Sequence, residues 1–511
     1  MLADRTDLLP DRTPVPATGV AISTLAGAPH VLVAGHGEAN RLFRGAPADA
    51  TGGAGETLVD VVGELRAATA SGANPDGEGA PVADPDGRAV GVAAADVDGD
   101  GVEELYVHNA GPFARSVLDP DAEGGLGSPQ PDRLLDPHGV SAAGDPSPDG
   151  WLDLLADGRN RRGRNLRVGR AVAALDRTGD GTYAFLVTGD ASPARLQTVA
   201  AGSVTDCASA VGVDFLGGGR SVLAGPVRPA ADRDGDVPDD HGVRMDLLLG
   251  MERGPNLLLR NDGGGFTDFA PEVGVSDTHG DARGAALVDL GGATGLALGT
   301  DGDRNRLWRL GDGRAVDVTP EPFAEPGPVR TVLAADLDND GREELFVTCH
   351  GAPNRLLQLA GTGRDGPTWE PVDPGPAAEP DRPSTGAVAA DLDGDGALEL
   401  LVAHGGPEAE PLAVYGAPGV AGNDWLRVRP RTAHGAPARG AVVTLIPEDG
   451  RVQRRVVDAG SGYCCQGEPV AHFGLGDGSP RAVRVAWPDG ETAATMDVPE
   501  PNQVLDVPFP G

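Results

Sequence analysis

Short apolar runs interrupted by polar, glycine-bearing loops recur along this chain. Val90-Gly-Val-Ala-Ala94, Thr331-Val-Leu-Ala-Ala335 and Gly386-Ala-Val-Ala-Ala390 each precede such a loop, and Leu105-Tyr-Val107, Leu345-Phe-Val347 and Leu400-Leu-Val402 follow it. Runs this short, bounded by Gly and Asp, predict strands, and two of them across one tight loop predict a β-hairpin. Third strands are expected at Asn40–Arg44, Asn256–Arg260, Asn305–Arg309 and Asn354–Gln358, and fourth strands at Gly265–Phe269 and Ala315–Thr319. The hairpin signature appears eight times, its loop opening near Ser23, Asp96, Asp145, Asp176, Asp214, Asp289, Asp336 and Asp391. Four antiparallel strands per repeat, at periods of tens of residues, predict an all-β fold: a seven- or eight-bladed β-propeller of four-stranded blades, whose ring leaves only short protected edges.

From Asn423 to Pro508 alternating strands continue without such loops and predict a small β-sandwich-like domain. The expected organisation is an N-terminal extension (1–15), the propeller (16–416), a linker (417–422) and the C-terminal β domain (423–511). The linker is expected to separate two independently packed units.

The loops carry the chemistry. Asp96, Asp98, Asp100 and Glu104 stand at positions 1, 3, 5 and 9 of one loop, with the carbonyl of Val102 at position 7. Asp336, Asp338, Asp340, Arg342 and Glu344 repeat the arrangement, as do Asp391, Asp393, Asp395, Ala397 and Glu399. Alternate carboxylates in a turning backbone supply the six to eight oxygens that Ca²⁺ takes, so the expected cofactor is calcium. An EF-hand is excluded, because its bidentate Glu at position 12 is replaced by Val107, Val347 and Val402, and because the flanks read as strands.

Two weaker loops follow the same spacing. Asp145, Ser147, Asp149, Trp151 and Asp153 form one, with Ser for one Asp; Asp232, Asp234, Asp236 and Asp240 form the other, with Val237 where the turn wants Gly. The loop at Asp176 has Ala184 at position 9 and is expected to bind nothing. On the opposite rim, the connections after the second strands carry His36, His108, His350 and His404. They read either as a repeated turn element or as part of a partner-binding face, since rim loops of rigid scaffolds often carry function.

Composition narrows the class. In 511 residues, 78 Gly and 45 Pro mark a turn-dense structure. No apolar run reaches the ~18 residues of a membrane span, and the first residues lack the basic and apolar segments of a signal peptide. A cytoplasmic protein without membrane insertion is therefore expected, or an extracellular one if the N-terminus has been trimmed. The net charge is −36, and all 41 basic residues are Arg. That excess survives when the loop acids are set aside, and it resembles the surfaces of halophile proteins, where salt screens self-repulsion to about 3 Å at 1 M. No basic patch offers itself to nucleic acid. The four cysteines are too few for a disulfide framework, and Cys464-Cys465 reads as plain thiols in preference to the alternative, a vicinal disulfide, whose geometry strains an adjacent pair.

Asp-x-Asp-x-Asp-Gly-x-x-Glu between short strands, followed by Asn-Arg-Leu, resembles the FG-GAP or VCBS repeat of integrin α-chain heads and related propellers. Arg439-Gly-Ala-Val-Val-Thr-Leu, Gly460-Ser-Gly-Tyr463, His472-Phe-Gly-Leu-Gly476, Val483-Arg-Val-Ala-Trp-Pro-Asp-Gly490 and Asn502-Gln503 resemble, in order, the ASPIC/UnbV domain. Cys464-Cys465 departs from the small hydroxyl residues expected there. The whole chain is thus similar to the cartilage acidic protein family, which implies calcium binding and protein or matrix recognition without established chemistry.

Common catalytic signatures are missing from the sequence: no nucleophile elbow, zinc-protease helix, phosphate loop or Cys-x-x-Cys pair occurs. The expected function is a calcium-stabilised binding scaffold for a protein or glycan partner, without catalysis. The alternative is a carbohydrate-active or other hydrolytic enzyme on a propeller scaffold, which would need two carboxylates about 5–9.5 Å apart in a pocket away from the metal loops.

Overall fold

The computed structural model describes residues 2–511 apart from 26, 46–57, 65–80, 111–129, 138–150, 191, 228–242, 253, 278–279, 312, 364–365, 406–408, 419–421, 449 and 499. Among the described residues the strands form nine antiparallel or mixed sheets, and seven of these are the blades of a β-propeller. The first strands of the blades are Ala17–Leu25, Ala89–Ala95, Gly169–Leu175, Gly219–Gly225, Ala282–Asp289, Val329–Ala335 and Ser384–Ala390. They stand side by side around the central axis, and the last packs against the first. Each shifts register against its hairpin partner near its start, between Ala17 and Val20 in blade 1 and between Ser384 and Ala387 in blade 7. A bulge of this kind adds local twist. Small residues let the inner strands approach closely: a Cβ on Gly386 would lie 2.6 Å from Thr18 O.

The blade count settles at seven because one of the eight sequence units is not a hairpin of inner strands. The unit at Asp145–Asp153 follows the third strand of blade 2, Arg133–Pro137, and its last residues, Trp151–Asp153, are the fourth strand of that blade. Its acidic spacing imitates the repeat without occupying the repeat's place. Asp214 likewise precedes the inner strand of blade 4; the loop of that blade spans the connection from Gly225 to Asp246.

The N-terminal extension is also corrected. Ala3–Asp4 pairs with Tyr415 and Gly416 as the fourth strand of blade 7, beside Ser384–Ala390, Glu399–His404 and Ala413–Gly416. The ring is therefore closed by joining the start of the chain to the end of the propeller.

The C-terminal part contains a three-stranded sheet (Ala471–Gly476, Asp424–Pro430, Gln503–Val507) and a four-stranded sheet (Gln453–Val456, Val442–Pro447, Pro480–Ala486, Ala493–Asp497). Between them lies a core of Leu426, Val443, Phe473, Val485 and Trp487. This module does not stand apart from the propeller. Its segment 458–466 enters the central channel and bonds to blade after blade. Ile22 N and Val20 O pair with Gln466, Ala94 N donates to Gln466 Oε1, and Ala174 N donates to Ala459 O. Ala224 N donates to Gly460 O, Gly462 N to Ala285 O, and Tyr463 N to Thr331 Oγ1. Blade 7 is touched by Cys465, whose Sγ lies 2.9 Å from where a Gly386 Cβ would be. Backbone groups on the inner strands that would otherwise face an open channel thus find partners on the plug.

Candidate metal centres

Three loops, at the ends of the inner strands of blades 2, 6 and 7, bring carboxylates together. Asp96, Asp98 and Glu104 each place one oxygen within 4.8 Å of the others, as do Asp336, Asp338 and Glu344, and Asp391, Asp393 and Glu399. The loop itself organises them. The position-1 carboxylate accepts amides from the turn it encloses, Gly99 N at 2.7 Å and Gly101 N at 3.0 Å for Asp96. The position-9 Glu accepts the amide of position 2: Val97 to Glu104 at 2.7 Å, Leu337 to Glu344 at 2.9 Å, Leu392 to Glu399 at 2.9 Å. Glycines 101, 341 and 396 have φ of +93°, +89° and +86°, which closes the turn at little steric cost. The position-5 carboxylates Asp100, Asp340 and Asp395 turn back onto the amides of Val102, Arg342 and Ala397, at 2.8–2.9 Å.

The donor set suits a hard cation. In the first two loops the carboxylate cluster holds buried oxygens that no hydrogen bond satisfies: Glu104 Oε1, Asp336 Oδ1 and Glu344 Oε1. Burial, reinforced by the neighbouring carboxylates, pushes Asp96 up to about 6, Asp336 to about 7 and Asp391 to about 6. Glu104, Glu344 and Glu399 are raised well above the usual carboxylate range for the same reasons. Crowded, desolvated carboxylates with unpaired oxygens are a cost that a bound cation removes, and the residues present can hold a metal ion.

This rim is the face on which the C-terminal module sits, and each loop region meets a buried arginine of that module. Arg439 donates to Glu103, beside Glu104, through Nε at 2.5 Å, and to the carbonyls of Ile22, Asp458 and Gly467. Arg455 faces Asp289 at 3.3 Å, Glu343 at 3.3 Å and Asp336 at 3.7 Å. Arg427 bonds Asp391 Oδ2 at 2.9 Å and pairs with Glu468. Gly474 N also donates to Asp336 Oδ2 at 2.9 Å. Sequence reasoning missed these arginines. The available signal was the doubled Glu of Glu103-Glu104 and Glu343-Glu344, in which the second residue belongs to the cluster and the first anchors the module.

The remaining predicted residues are placed as follows. The loop at Asp176 forms the same turn, with Gly179 N and Gly181 N on its carboxylate at 2.6 and 2.9 Å, and has Ala184 where the others have Glu. Asp145, Ser147, Asp149, Asp232, Asp234, Asp236 and Asp240 lie outside the described residues. Asp153 is described, and its carboxylate is engaged by Arg133, Leu134 N and Leu155 N; Trp151 is buried. The histidines correct the idea of one continuous recognition face. His108 is fully buried between Asp132, at 2.9 Å from Nδ1, and Thr188 O, at 2.8 Å from Nε2. His404 is fully buried between Pro411 O and Glu379. His36 and His350 are half-buried, and their amides donate to Pro16 O and Pro328 O, just before the inner strands of blades 1 and 6. Cys464 and Cys465 are free thiols in the channel, pushed up to about 12 and about 11 chiefly by burial, and so are poor nucleophiles.

Residues 431–508 match the ASPIC and UnbV family. The chain is 36% identical over 454 residues to cartilage acidic protein 1 of Xenopus tropicalis, covering 84% of this chain and 65% of that protein. It is 35% identical to the Homo sapiens protein of the same name, of which 64% is covered. The chain thus spans just under two thirds of the length of these curated relatives. Among solved structures, BBS1N in complex with ARL6DN has a TM-score of 0.44 at 10% identity, covering 82% of this chain and 97% of that one. YCF48 bound to D1 peptide has a TM-score of 0.42 at 10% identity, covering 80% and 94%. By sequence, then, this chain is similar to cartilage acidic protein 1 over most of its length, and its C-terminal module matches the ASPIC and UnbV family.

Proposed function

We propose that this chain is a calcium-stabilised propeller scaffold of the cartilage acidic protein family, which binds a protein or glycan partner and carries out no catalysis of its own. The observation that carries the reading is the set of three carboxylate triads, two of them with buried oxygens left unpaired. Their all-oxygen donors, with the carbonyls of Val102, Arg342 and Ala397 available to add to them, suit Ca²⁺ better than a softer metal. Calcium there supplies charge neutralisation at the seat of the C-terminal module.

The hydrolytic alternative has less support. A cavity of about 100 Å³ between blades 4–6 and the module is lined by Asp289, Glu343 and Asp458, but these carboxylates are already committed. Asp289 accepts Gly292 N, Arg454 N and Arg455; Glu343 accepts Asp289 N and pairs with Arg455; Asp458 accepts Gly460 N, Gly467 N and Ser461 Oγ. A general acid or base needs a free oxygen facing substrate. Recognition is assigned to exposed loops of the far rim near His36 and His350, and to the module's own surface.

The test is capture of proteins and glycans from an array by calcium-loaded protein, repeated after chelation and with a His36→Ala/His350→Ala variant. Capture that chelation abolishes supports the reading. Turnover of a glycan or ester by the calcium-loaded protein would overturn it in favour of the hydrolase.

A further inference from the structure

The three loops share one ligand pattern, but their surroundings differ. In the loops at Asp96 and Asp336, the position-9 Glu keeps an unpaired buried oxygen. No buried oxygen of the loop at Asp391 is left in that state, and a guanidinium lies against this triad. Arg5 Nη2 lies 2.7 Å from Asp393 Oδ2 and Arg5 Nη1 lies 3.6 Å from Glu399 Oε1. Asp393 and Glu399 are almost wholly buried, whereas Arg5 is about 29% exposed. A second cation, Arg427, bonds Asp391 Oδ2 at 2.9 Å. Two positive side chains therefore bear directly on the third triad. On the second, the module's arginine stands further off, with Arg455 at 3.7 Å from Asp336. On the first, the module's arginine engages Glu103, which is outside the triad.

We infer that the third loop is an exchangeable calcium site governed by Arg5, while the first two are tight, resident sites. This rests on the calcium reading given above. A divalent ion entering the third triad meets the repulsion of a guanidinium hydrogen-bonded to Asp393 and ion-paired with Glu399, and must displace it. At an effective dielectric between that of water and that of a protein surface, a unit charge about 4 Å from a divalent ion lowers affinity at least tenfold. The route for exchange is also present. Arg5, Asp395 and Glu399 line a cavity of about 460 Å³ that Asn423 and Trp425 of the C-terminal module share. Arg5 is tied to the fold through its amide, which donates to Val414 O next to the closing strand Ala3–Asp4. Occupancy of the third site and closure of blade 7 by the start of the chain are thus linked through one side chain.

The test is calcium release into a chromophoric chelator and calcium content after exhaustive dialysis, measured on the full chain as wild type, Arg5→Gln, Arg5→Lys and Asp393→Asn. The wild type should show a fast, weak phase that Asp393→Asn removes. Arg5→Gln should convert that phase into a slow one, with affinity about tenfold or more higher and one more ion per chain retained on dialysis. Arg5→Lys keeps the charge and should keep the site weak, which separates a charge effect from disturbance of the closing strand. Equal retention at the third site in wild type and Arg5→Gln, or a weak phase indifferent to Asp393→Asn, overturns the inference. The calcium reading itself is judged separately, on loss of ions in Asp98→Ala and Asp338→Ala, so the two can fail independently.

Discussion

At the scale of single residues, the carboxylates sort into those that wait for a cation and those already satisfied by protein. Glu379 is the clearest of the second kind. It accepts from Tyr415 at 2.6 Å, from Arg382 at 2.9 Å, and from His404 and Ser384 at 3.0 Å. Burial raises its pKa, but the hydrogen bond and charge of His404, with Tyr415 and Arg382, outweigh burial and hold the carboxyl at about 2. A folded pKa depressed below the unfolded value adds stability that is present above about pH 4.5 and is lost as pH falls towards 2. The size is on the order of 3 kcal/mol, at about 1.4 kcal/mol per unit. Unfolding free energy measured across that window should therefore drop more steeply in wild type than in Glu379→Gln. Asp132 plays the corresponding part in blade 2, accepting from Tyr106 at 2.6 Å, His108 at 2.9 Å and Asn165 at 3.0 Å. Asp132→Leu strands these donors in the core and should cost about 3 kcal/mol or more in a denaturant titration. Little of this was legible in the sequence. Histidines recurring after the second strand looked like a surface feature, because spacing along the chain reports the turn they occupy and not the carboxylate, distant in sequence, that buries them.

At the scale of elements, the hairpin with a metal loop was readable because it is local: apolar run, Asp spacing, glycine and apolar run all lie within about twenty residues. The fourth strand of blade 7 was not, since Ala3–Asp4 is two residues long and pairs with residues more than 400 positions away. The docking of the module on the loops was equally hidden, but it leaves a steric mark. A Cβ on Gly474 would lie 2.3 Å from Asn339 Cα and 2.5 Å from Asp336 Oδ2. Gly474→Val should therefore lift the module from blade 6 without removing a metal ligand. Hydrogen exchange of residues 458–467, which bond into the channel, should rise sharply in that variant. Exchange in the module's own strands, such as Val442–Pro447, should change far less. Equal acceleration in both regions would mean that the module has unfolded and not merely lifted.

At the scale of the whole molecule, the C-terminal module has a core of its own and is also held to the propeller by a channel segment and three buried arginines. Cleavage between Gly416 and Gly422 should therefore leave the two pieces associated on a sizing column in calcium. The net charge of −36 bears on the whole molecule too. Read as salt adaptation, the surface predicts a melting temperature that climbs towards molar KCl as repulsion is screened, and a flat response would remove that reading. On the calcium reading, each occupied site would add stability by linkage, about 2.7 kcal/mol at a free concentration one hundred times its dissociation constant. The central claim, that the buried triads are calcium sites, is tested most directly by elemental analysis of dialysed protein, comparing wild type with an Asp98→Ala/Asp338→Ala double variant. The account predicts that the variant holds two fewer calcium ions per chain and melts at a lower temperature in calcium but not in chelator; the same calcium content in both proteins would contradict it.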